Sequence, residues 1–336
     1  MSVTCALEKC PVAKDGRCLE GFNPATGCPH YGKPTSDAVG EDSAANEAMR
    51  VNYTDTHAGQ ALGFDDIGVF VSNTLARLIT VAGPYRAGKT TLVAAVYEDL
   101  LVGVQDDYGF CWSNTIQAFE QRCHLARAVS GANTPNTGRT SGSKDEFLHL
   151  KLVSHKYGVT RDFIFSDVSG ERFEKAGQSS ELARTLQFLP TTSRLVLVVD
   201  GAELAKPESK FAAFREQQHF LGMAHGTDLL ANLEAIDIVV TKWDQLFSEA
   251  ETPAVTEFPD RALSQVRDIV GDRLRLRYWS VASRTSSDGT IKRGHGLREL
   301  VNDWLMPTSG QDLSVAELTS ASHGPNRFVR HVLGDT

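Results

Sequence analysis

The segment GPYRAGKT at 83–90 constrains this 336-residue chain more than any other, because it matches the pattern G-x-x-x-x-G-K-[ST]. It follows an apolar run at 76–82 that predicts a buried strand, and it precedes a predicted helix over 89–102. Glycine lets the backbone curl so that successive N–H groups face one point, and the following helix adds the positive end of its dipole. The segment therefore predicts a phosphate-binding loop, or P-loop.

Two residues of such a loop have defined roles. Lys89 is expected to reach the β- and γ-phosphates of a nucleotide, and the hydroxyl of Thr90 is expected to bind Mg²⁺. The residues predicted to contact the nucleotide here are Gly83, Arg86, Ala87, Gly88, Lys89, Thr90 and Thr91. The flanking strand and helix make a chance glycine turn the weaker interpretation.

The rest of the chain alternates predicted strands with predicted helices. Apolar runs at 147–153 and 162–168 predict a hairpin with its turn at 156–158, whereas 103–146 holds a predicted helix over 115–129 and no predicted strand. Further strands are predicted at 195–200, 236–240 and 274–281, with helices at 208–222, 257–271 and 295–305. This alternation favours an α/β fold with a mostly parallel sheet covered on both faces.

The segment DVSGE at 167–171 begins at the end of the predicted strand at 162–168. A carboxylate at Asp167 can hold Mg²⁺ through water, opposite Thr90. Gly170 can offer its N–H to a γ-phosphate because no side chain blocks the approach. The position after an apolar strand makes an ordinary strand-end turn the weaker interpretation.

The segment TKWD at 241–244 follows the strand predicted at 236–240. The carboxylate of Asp244 can accept hydrogen bonds from N1–H and the exocyclic amine of guanine, a donor pair that adenine lacks. Lys242 is expected to lie against the base and to brace the P-loop. The segment SVAS at 280–283 follows the last strand, and its backbone is expected to meet the guanine carbonyl oxygen. The predicted guanine contacts are Thr241, Lys242, Asp244, Ala282 and Ser283.

These four segments, in this order, resemble those of the Ras-like and translation-factor GTPases over about residues 70–305. The resemblance implies a three-layer P-loop NTPase sandwich with a mostly parallel, six-stranded sheet that has one antiparallel strand. GTP or GDP would bind with Mg²⁺ at the carboxyl ends of the strands. It also implies a GTP-dependent switch whose surface at 130–146 and 168–182 binds a protein effector or a GTPase-activating partner.

GTPases of this kind have a threonine before the second strand that meets Mg²⁺ and the γ-phosphate. The candidates are Thr134, Thr137 and Thr140, and we select Thr140 because it is nearest the strand predicted at 147–153. Arg139 beside it is a candidate arginine finger, and a solvated loop arginine is an equally good interpretation.

Three residues depart from the Ras pattern. Glu171 stands where those proteins have a water-orienting glutamine, and Tyr85 and Arg86 stand where Ras has glycine. A carboxylate near the γ-phosphate predicts slow intrinsic hydrolysis, with Glu171 or a partner group orienting the water. The alternatives are a GTP- or GDP-binding adaptor with negligible hydrolysis and an ATPase.

The segment 114–140 and the Cys-rich start that ends in CPHY resemble the bacterial double-GTPase family, which is associated with conflict and defence systems. Only one P-loop is visible, so we expect any second GTPase or activating partner on another chain. A nucleotide-dependent oligomer is a further expectation, since G domains often dimerise across nucleotide.

Four of the six cysteines lie within the first 28 residues. A short segment buries too little core to fold alone, and a metal would supply that stability. We therefore favour a zinc module, with two disulfides or buried free cysteines as alternatives. Its candidate ligands are Cys5, Cys10, Cys18, Cys28 and His30.

The formal net charge of −8 argues against a general nucleic-acid or anionic-membrane binder. The chain has no apolar run of 18 residues, and its start does not read as a secretory signal, so we expect a cytoplasmic protein. The predicted division is a Cys-rich module at 1–35, a linker at 36–60, a GTPase domain at 61–306 and a tail at 307–336.

Overall fold

A computed structural model of the protein describes residues 5–7, 9–33, 59–73, 76–102, 107–124, 145–246, 253–285 and 290–307. The chain divides into two compact units, Met1–Asp55 and Thr56–Thr336. The described part of the smaller unit contains a one-turn helix α1 (Val12–Asp15), a 3-10 turn (Ala25–Gly27) and a β-bridge between Cys5 and Tyr31. The predicted linker and tail lie almost entirely outside the described residues.

The larger unit is built on one sheet. Its strands are β1 (Arg77–Ala82), β2 (Tyr108–Trp112), β3 (Glu146–Ser154), β4 (Val159–Asp167), β5 (Thr192–Asp200), β6 (Ala235–Thr241) and β7 (Arg275–Ser280). They lie in the order β2-β3-β4-β1-β5-β6-β7. In this described sheet β3 is antiparallel to β2 and β4, and all other neighbours are parallel. The prediction of a mostly parallel sheet with one antiparallel strand is confirmed.

The prediction of six strands is wrong, because β2 adds a seventh within the region 103–146 that we expected to have no strand. β2 has only five residues and no simple alternation of buried and exposed positions. It pairs with β3 through Tyr108 opposite Ser154, with a register irregularity between Phe110 and Trp112. Long-range pairing, rather than local sequence, therefore determines this strand.

Helices cover both faces of the sheet. They are α2 (Phe64–Asn73), α3 (Lys89–Val102), α4 (Ile116–His124), α5 (Gly170–Ala176), α6 (Ser180–Arg184), α7 (Gly201–Leu204), α8 (Arg215–Gly226), α9 (Trp243–Leu246), α10 (Pro253–Thr256), α11 (Phe258–Val270) and α12 (Leu297–Trp304). α3 has its predicted bounds, whereas α8 begins seven residues later than predicted because 207–214 forms turns. Helix α2 has no counterpart among the predicted helices.

Two apolar layers follow from the alternation of side chains along each strand. On β5, Leu195, Leu197 and Val199 face the layer formed with α5, α8 and α11, while Val196 and Val198 face the layer formed with α3, α4 and α12. All five of these side chains are fully buried. The strand therefore reads as a continuous apolar run, as expected when helices cover both faces of a parallel sheet.

This topology brings the predicted segments to one edge. β1, β4, β5 and β6 are parallel, so the residues that follow their carboxyl ends meet at the same edge of the sheet. In the described part of the chain, every helix is too short or too polar to span a bilayer.

Candidate nucleotide-binding site

The P-loop connects the end of β1 to α3 through a tightly curled backbone. Gly83 lies so close to β5 that a Cβ atom there would approach the Val198 carbonyl oxygen to 2.7 Å. Gly88 has a left-handed φ of 89°, and so does Arg86, at 62°. A non-glycine residue in this region is strained, and the surrounding loop must hold Arg86 there.

Lys89 begins α3 and turns back over the loop. Its Nζ donates to the carbonyl oxygens of Gly83 and Pro84, both at 2.9 Å. Burial lowers the pKa of Lys89 to about 8, although the carboxylates of Asp167 and Glu216 partly oppose this effect. A buried ammonium that turns back over the P-loop is suited to bind phosphate, and phosphate would in turn stabilise its charge.

Thr90 and Asp167 meet as the sequence predicted. The Thr90 hydroxyl donates to Asp167 Oδ1 at 2.7 Å, and Asp167 is 3% exposed. Because the hydroxyl hydrogen faces the carboxylate, the oxygen lone pairs face away from it. A hydroxyl oxygen and a buried carboxylate are the oxygen ligands that Mg²⁺ prefers, so these residues fit the metal that the motif implies.

Arg122, on α4, is a site residue that the sequence prediction missed. Its Nε donates to Asp167 Oδ2 at 2.5 Å, and its Nη2 donates to Glu146 Oε2 at 2.6 Å. Asp167 is therefore hydrogen-bonded through both oxygens. Arg122 and Asp167 are 45 positions apart in the sequence, so no local pattern could have revealed the pair.

Gly170 begins α5 directly against the P-loop. A Cβ atom on Gly170 would clash with the backbone of Pro84 and Tyr85, so only glycine permits this close approach. Glu171 is exposed in the first turn of α5. The two other predicted switch residues, Arg139 and Thr140, lie outside the described residues, as does nearly all of 130–146.

The carboxyl end of β6 is joined to both the P-loop and β5. The Thr241 hydroxyl shares its hydrogen between the Ala87 carbonyl at 2.6 Å and the Val199 carbonyl at 3.2 Å. Thr241 therefore links β6 to the P-loop and to β5. Lys242 has a φ of 50° and donates from Nζ to Asp200 Oδ2 at 2.6 Å. Asp200, at the end of β5, was not predicted as a site residue, although its place at the end of an apolar strand was visible.

Asp244 differs from these paired residues. Its Oδ1 atom is buried without a hydrogen-bond partner among the described residues, and burial raises the pKa of its carboxyl group. The neighbouring loop offers a second such atom, because Ser283 Oγ is also buried without a partner there. The backbone N–H of Trp243 donates to the Val281 carbonyl at 3.2 Å and joins the segment 241–244 to the segment 280–283. Unpaired buried polar atoms are costly, so a ligand that hydrogen-bonds to these two atoms would remove that cost.

The zinc prediction at the N-terminus is not supported. Within the described residues, no group of three or more His, Cys, Asp or Glu side chains is arranged to hold a metal ion, and all four cysteines are free. His30 Nε2 faces Glu20 Oε1 at 3.9 Å, and Cys28 Sγ is directed to the other oxygen of Glu20 at 3.9 Å. The prediction of a zinc centre at Cys5, Cys10, Cys18, Cys28 and His30 is therefore not supported by the described residues.

A P-loop whose threonine faces a carboxylate, together with an aspartate just after β6, is the arrangement of the P-loop GTPases. The Double-GTPase 2 family model matches residues 77–305, which is more than half of the chain, and the protein belongs to this double-GTPase family. The chain is also similar to a solved structure, that of the signal recognition particle receptor SRb-GTP/SRX complex from Chaetomium thermophilum. The sequence identity is 13% and the TM-score is 0.36. That match covers 68% of this chain and 99% of the other. No curated protein matches.

Proposed function

We propose that the protein is a regulatory GTPase, a guanine-nucleotide switch that hydrolyses GTP slowly without a partner. The observation that carries guanine selectivity is the buried Oδ1 of Asp244, which has no partner among the described residues. The guanine N1–H and amine would satisfy this carboxylate, whereas adenine would leave it unpaired. Lys242, Thr241, Ala282 and Ser283 would complete the base site from the two adjoining segments.

At the phosphate end, the contacts of Lys89, Thr90 and Asp167 support binding of Mg²⁺ with the triphosphate. When bound, the metal would neutralise charge on the β- and γ-phosphates. The residues of the chain have separate tasks in this proposal. Lys89 binds the phosphates, Gly170 offers its N–H to the γ-phosphate, and Thr140 closes over it.

Slow hydrolysis is supported by the position of Glu171 at the first turn of α5, behind Gly170. A negative side chain there would repel the γ-phosphate and orient water poorly, so a partner would have to complete the reaction. Arg139 and Arg86 are the candidate positive groups within the chain. An effector or activating partner would bind at 130–146 and 168–182, and a nucleotide-dependent oligomer is compatible with the same surface.

A competition experiment tests the base selectivity. Fluorescent GDP bound to the protein should be displaced by unlabelled GTP or GDP, and ATP should require a concentration at least ~10²-fold higher. Lys89→Ala serves as the control that removes phosphate binding while leaving the base site intact. Equal displacement by ATP would show that the protein is an ATPase or an unselective nucleotide binder.

Single-turnover hydrolysis separates a slow switch from an adaptor that merely holds GTP. We expect slow turnover in the wild type and a faster rate for Glu171→Gln, which removes the charge but keeps the side-chain length. Glu299→Gln, on α12 at a distance in sequence from every proposed site residue, should leave the rate unchanged. No turnover in the wild type, in Glu171→Gln or with any partner would favour the adaptor.

We also propose a role in a bacterial conflict or defence system, which only the resemblance to the double-GTPase family supports. Deleting the gene should then increase the sensitivity of the host to phage or to a competing strain. Equal sensitivity across such challenges would remove this part of the proposal.

A further inference from the structure

Arg122 is a nearly buried cation at the carboxylate that the proposed function assigns to Mg²⁺. Its side chain is 11% exposed, and it contacts two carboxylates, Asp167 and Glu146, at hydrogen-bond distance. Its Nη1 also donates to the Ala118 carbonyl at 3.1 Å. Three of its nitrogen atoms thus have fixed acceptors, which leaves the guanidinium little rotational freedom.

The helix that carries Arg122 is itself firmly attached. At its start, the hydroxyls of Ser113 and Thr115 donate to the His149 carbonyl of β3 at 2.6 and 3.3 Å. Along its length, the ring of Phe119 stacks on Tyr97 of α3 with a centroid distance of 4.9 Å. These contacts anchor α4 to α3 and β3, and they fix the position from which Arg122 contacts Asp167.

The contacts of Asp167 divide into two. Its Oδ1 accepts from Thr90 of the P-loop, and its Oδ2 accepts from Arg122 of α4. Hydrogen bonds to both oxygens restrain the carboxylate from rotating about its Cβ–Cγ bond. The Thr90 hydroxyl then keeps its hydrogen directed at Oδ1 and its lone pairs directed away, which is the arrangement a metal ligand needs.

We propose that Arg122 is a positioning residue for the magnesium site, acting through Asp167 and Thr90 rather than by touching the nucleotide. Glu146 is the counter-anion that keeps the guanidinium in place, since it holds Nη2 while Nε holds Asp167. Groups that orient a metal ligand typically change metal affinity by about 10- to 100-fold when removed. This inference rests on the proposed function, because it assumes a nucleotide with Mg²⁺ at the P-loop.

The test measures GDP affinity with Mg²⁺ and with EDTA, and compares the ratio of the two dissociation constants between variants. We expect Arg122→Ala to reduce the Mg²⁺-dependent gain about 10-fold or more, while the affinity in EDTA changes little. Arg122→Lys should recover part of the gain, because lysine keeps the charge but cannot hold both carboxylates as a planar fork. Glu146→Gln should give a smaller loss of the same sign.

Arg77→Ala is the matched control. Arg77 is also partly buried and lies near a carboxylate, Glu234, but it is at the amino end of β1, away from the P-loop. It should leave the Mg²⁺-dependent gain unchanged, and thermal unfolding without nucleotide would report the folded fraction of every variant.

The outcomes are distinct. An unchanged gain in Arg122→Ala would overturn the proposal and make Arg122 a purely structural tie. A larger gain would also overturn it, because Arg122 would then compete with the metal for Asp167. Failure of the wild type to bind guanine nucleotide, or to respond to Mg²⁺, would instead refute the proposed function from which this inference starts.

Discussion

Two aspartates at opposite ends of β6 show how differently the two edges of the sheet are built. Asp237, towards the amino end, accepts from Arg194 at 2.8 Å and from the indole N–H groups of Trp304 at 2.9 Å and Trp279 at 3.1 Å. Asp244, just after the carboxyl end, has a buried oxygen with no partner among the described residues. Asp237 is therefore hydrogen-bonded through both oxygens, whereas Asp244 keeps one buried oxygen unpaired among the described residues.

The difference distinguishes an aspartate that stabilises the fold, Asp237, from one that is available to a ligand, Asp244. At the amino edge, the Arg194 guanidinium also contacts Asp303 at 3.0 Å and joins β5, β6 and α12 through buried charges. At the carboxyl edge, Lys89 is held by backbone carbonyls and its pKa is depressed to about 8 by burial. Burying the Lys89 ammonium and the unpaired Asp244 oxygen destabilises the free protein, and a bound phosphate and base would remove that destabilisation.

The largest effect should appear when each aspartate is replaced by alanine. Asp237→Ala is expected to lower the free energy of unfolding by about 3–5 kcal/mol, because it leaves a buried guanidinium and two indole donors poorly paired. Asp244→Ala should change it by less than about 0.5 kcal/mol. Urea unfolding without nucleotide, followed by circular dichroism, measures both, and similar losses for the two variants would contradict the comparison.

Hydroxyl groups at the carboxyl edge sharpen the comparison at a smaller scale. The Thr241 hydroxyl has two carbonyl partners, whereas Ser283 Oγ is buried with none in the described structure. Thr241→Val should cost about 1–3 kcal/mol of unfolding free energy, since it leaves the Ala87 carbonyl unsatisfied. Ser283→Ala should be close to neutral in the same denaturation assay and should weaken GDP binding instead. A stability loss for Ser283→Ala equal to that of Thr241→Val would show that Ser283 is structural.

The pH dependence of nucleotide affinity should report the titration of Lys89 and of Asp244. Lys89 is an ammonium only below its pKa of about 8 in the free protein, so GDP affinity should fall as pH rises above 8, by up to about tenfold per unit. On the acid side, burial raises the pKa of Asp244, and protonation removes an acceptor, so affinity should also fall as pH drops through that raised pKa.

Titration of GDP binding from the acid range to well above the Lys89 pKa of about 8 tests both arms of this profile. Lys89→Arg keeps a permanent charge and should abolish the alkaline fall wherever it still binds. A flat alkaline arm in the wild type would mean that Lys89 stays charged in the free protein.

The smallest effect concerns the strained P-loop residue. Arg86→Gly should raise the unfolding free energy by about 0.5–1 kcal/mol, because glycine adopts a left-handed φ without steric cost, less its entropy loss. Arg86→Ala removes the same side chain but keeps the strain, so it should give no such gain. A gain in both variants would assign the effect to lost charge rather than to backbone geometry.

The sequence predicted what is local. The P-loop, α3 and the strand ends that carry Asp167 and Asp244 follow from short motifs next to apolar runs, and the structure brings them to one edge of the sheet. It did not reveal β2, which exists through pairing with β3. Nor did it reveal Arg122 or Asp200, whose partners lie 45 and 42 residues away. Contacts that depend on the folded chain have no periodic pattern in the sequence.

The central claim is that the open carboxyl edge selects guanine through Asp244, and an exchange of base specificity tests it most directly. Xanthine has an oxygen where guanine has its exocyclic amine, so an amide side chain can donate where the carboxylate accepted. Asp244→Asn should lose at least about 10²-fold in GTP affinity and gain affinity for xanthosine triphosphate, with unchanged stability in the free state. Unaltered preference for GTP in this variant would contradict the account.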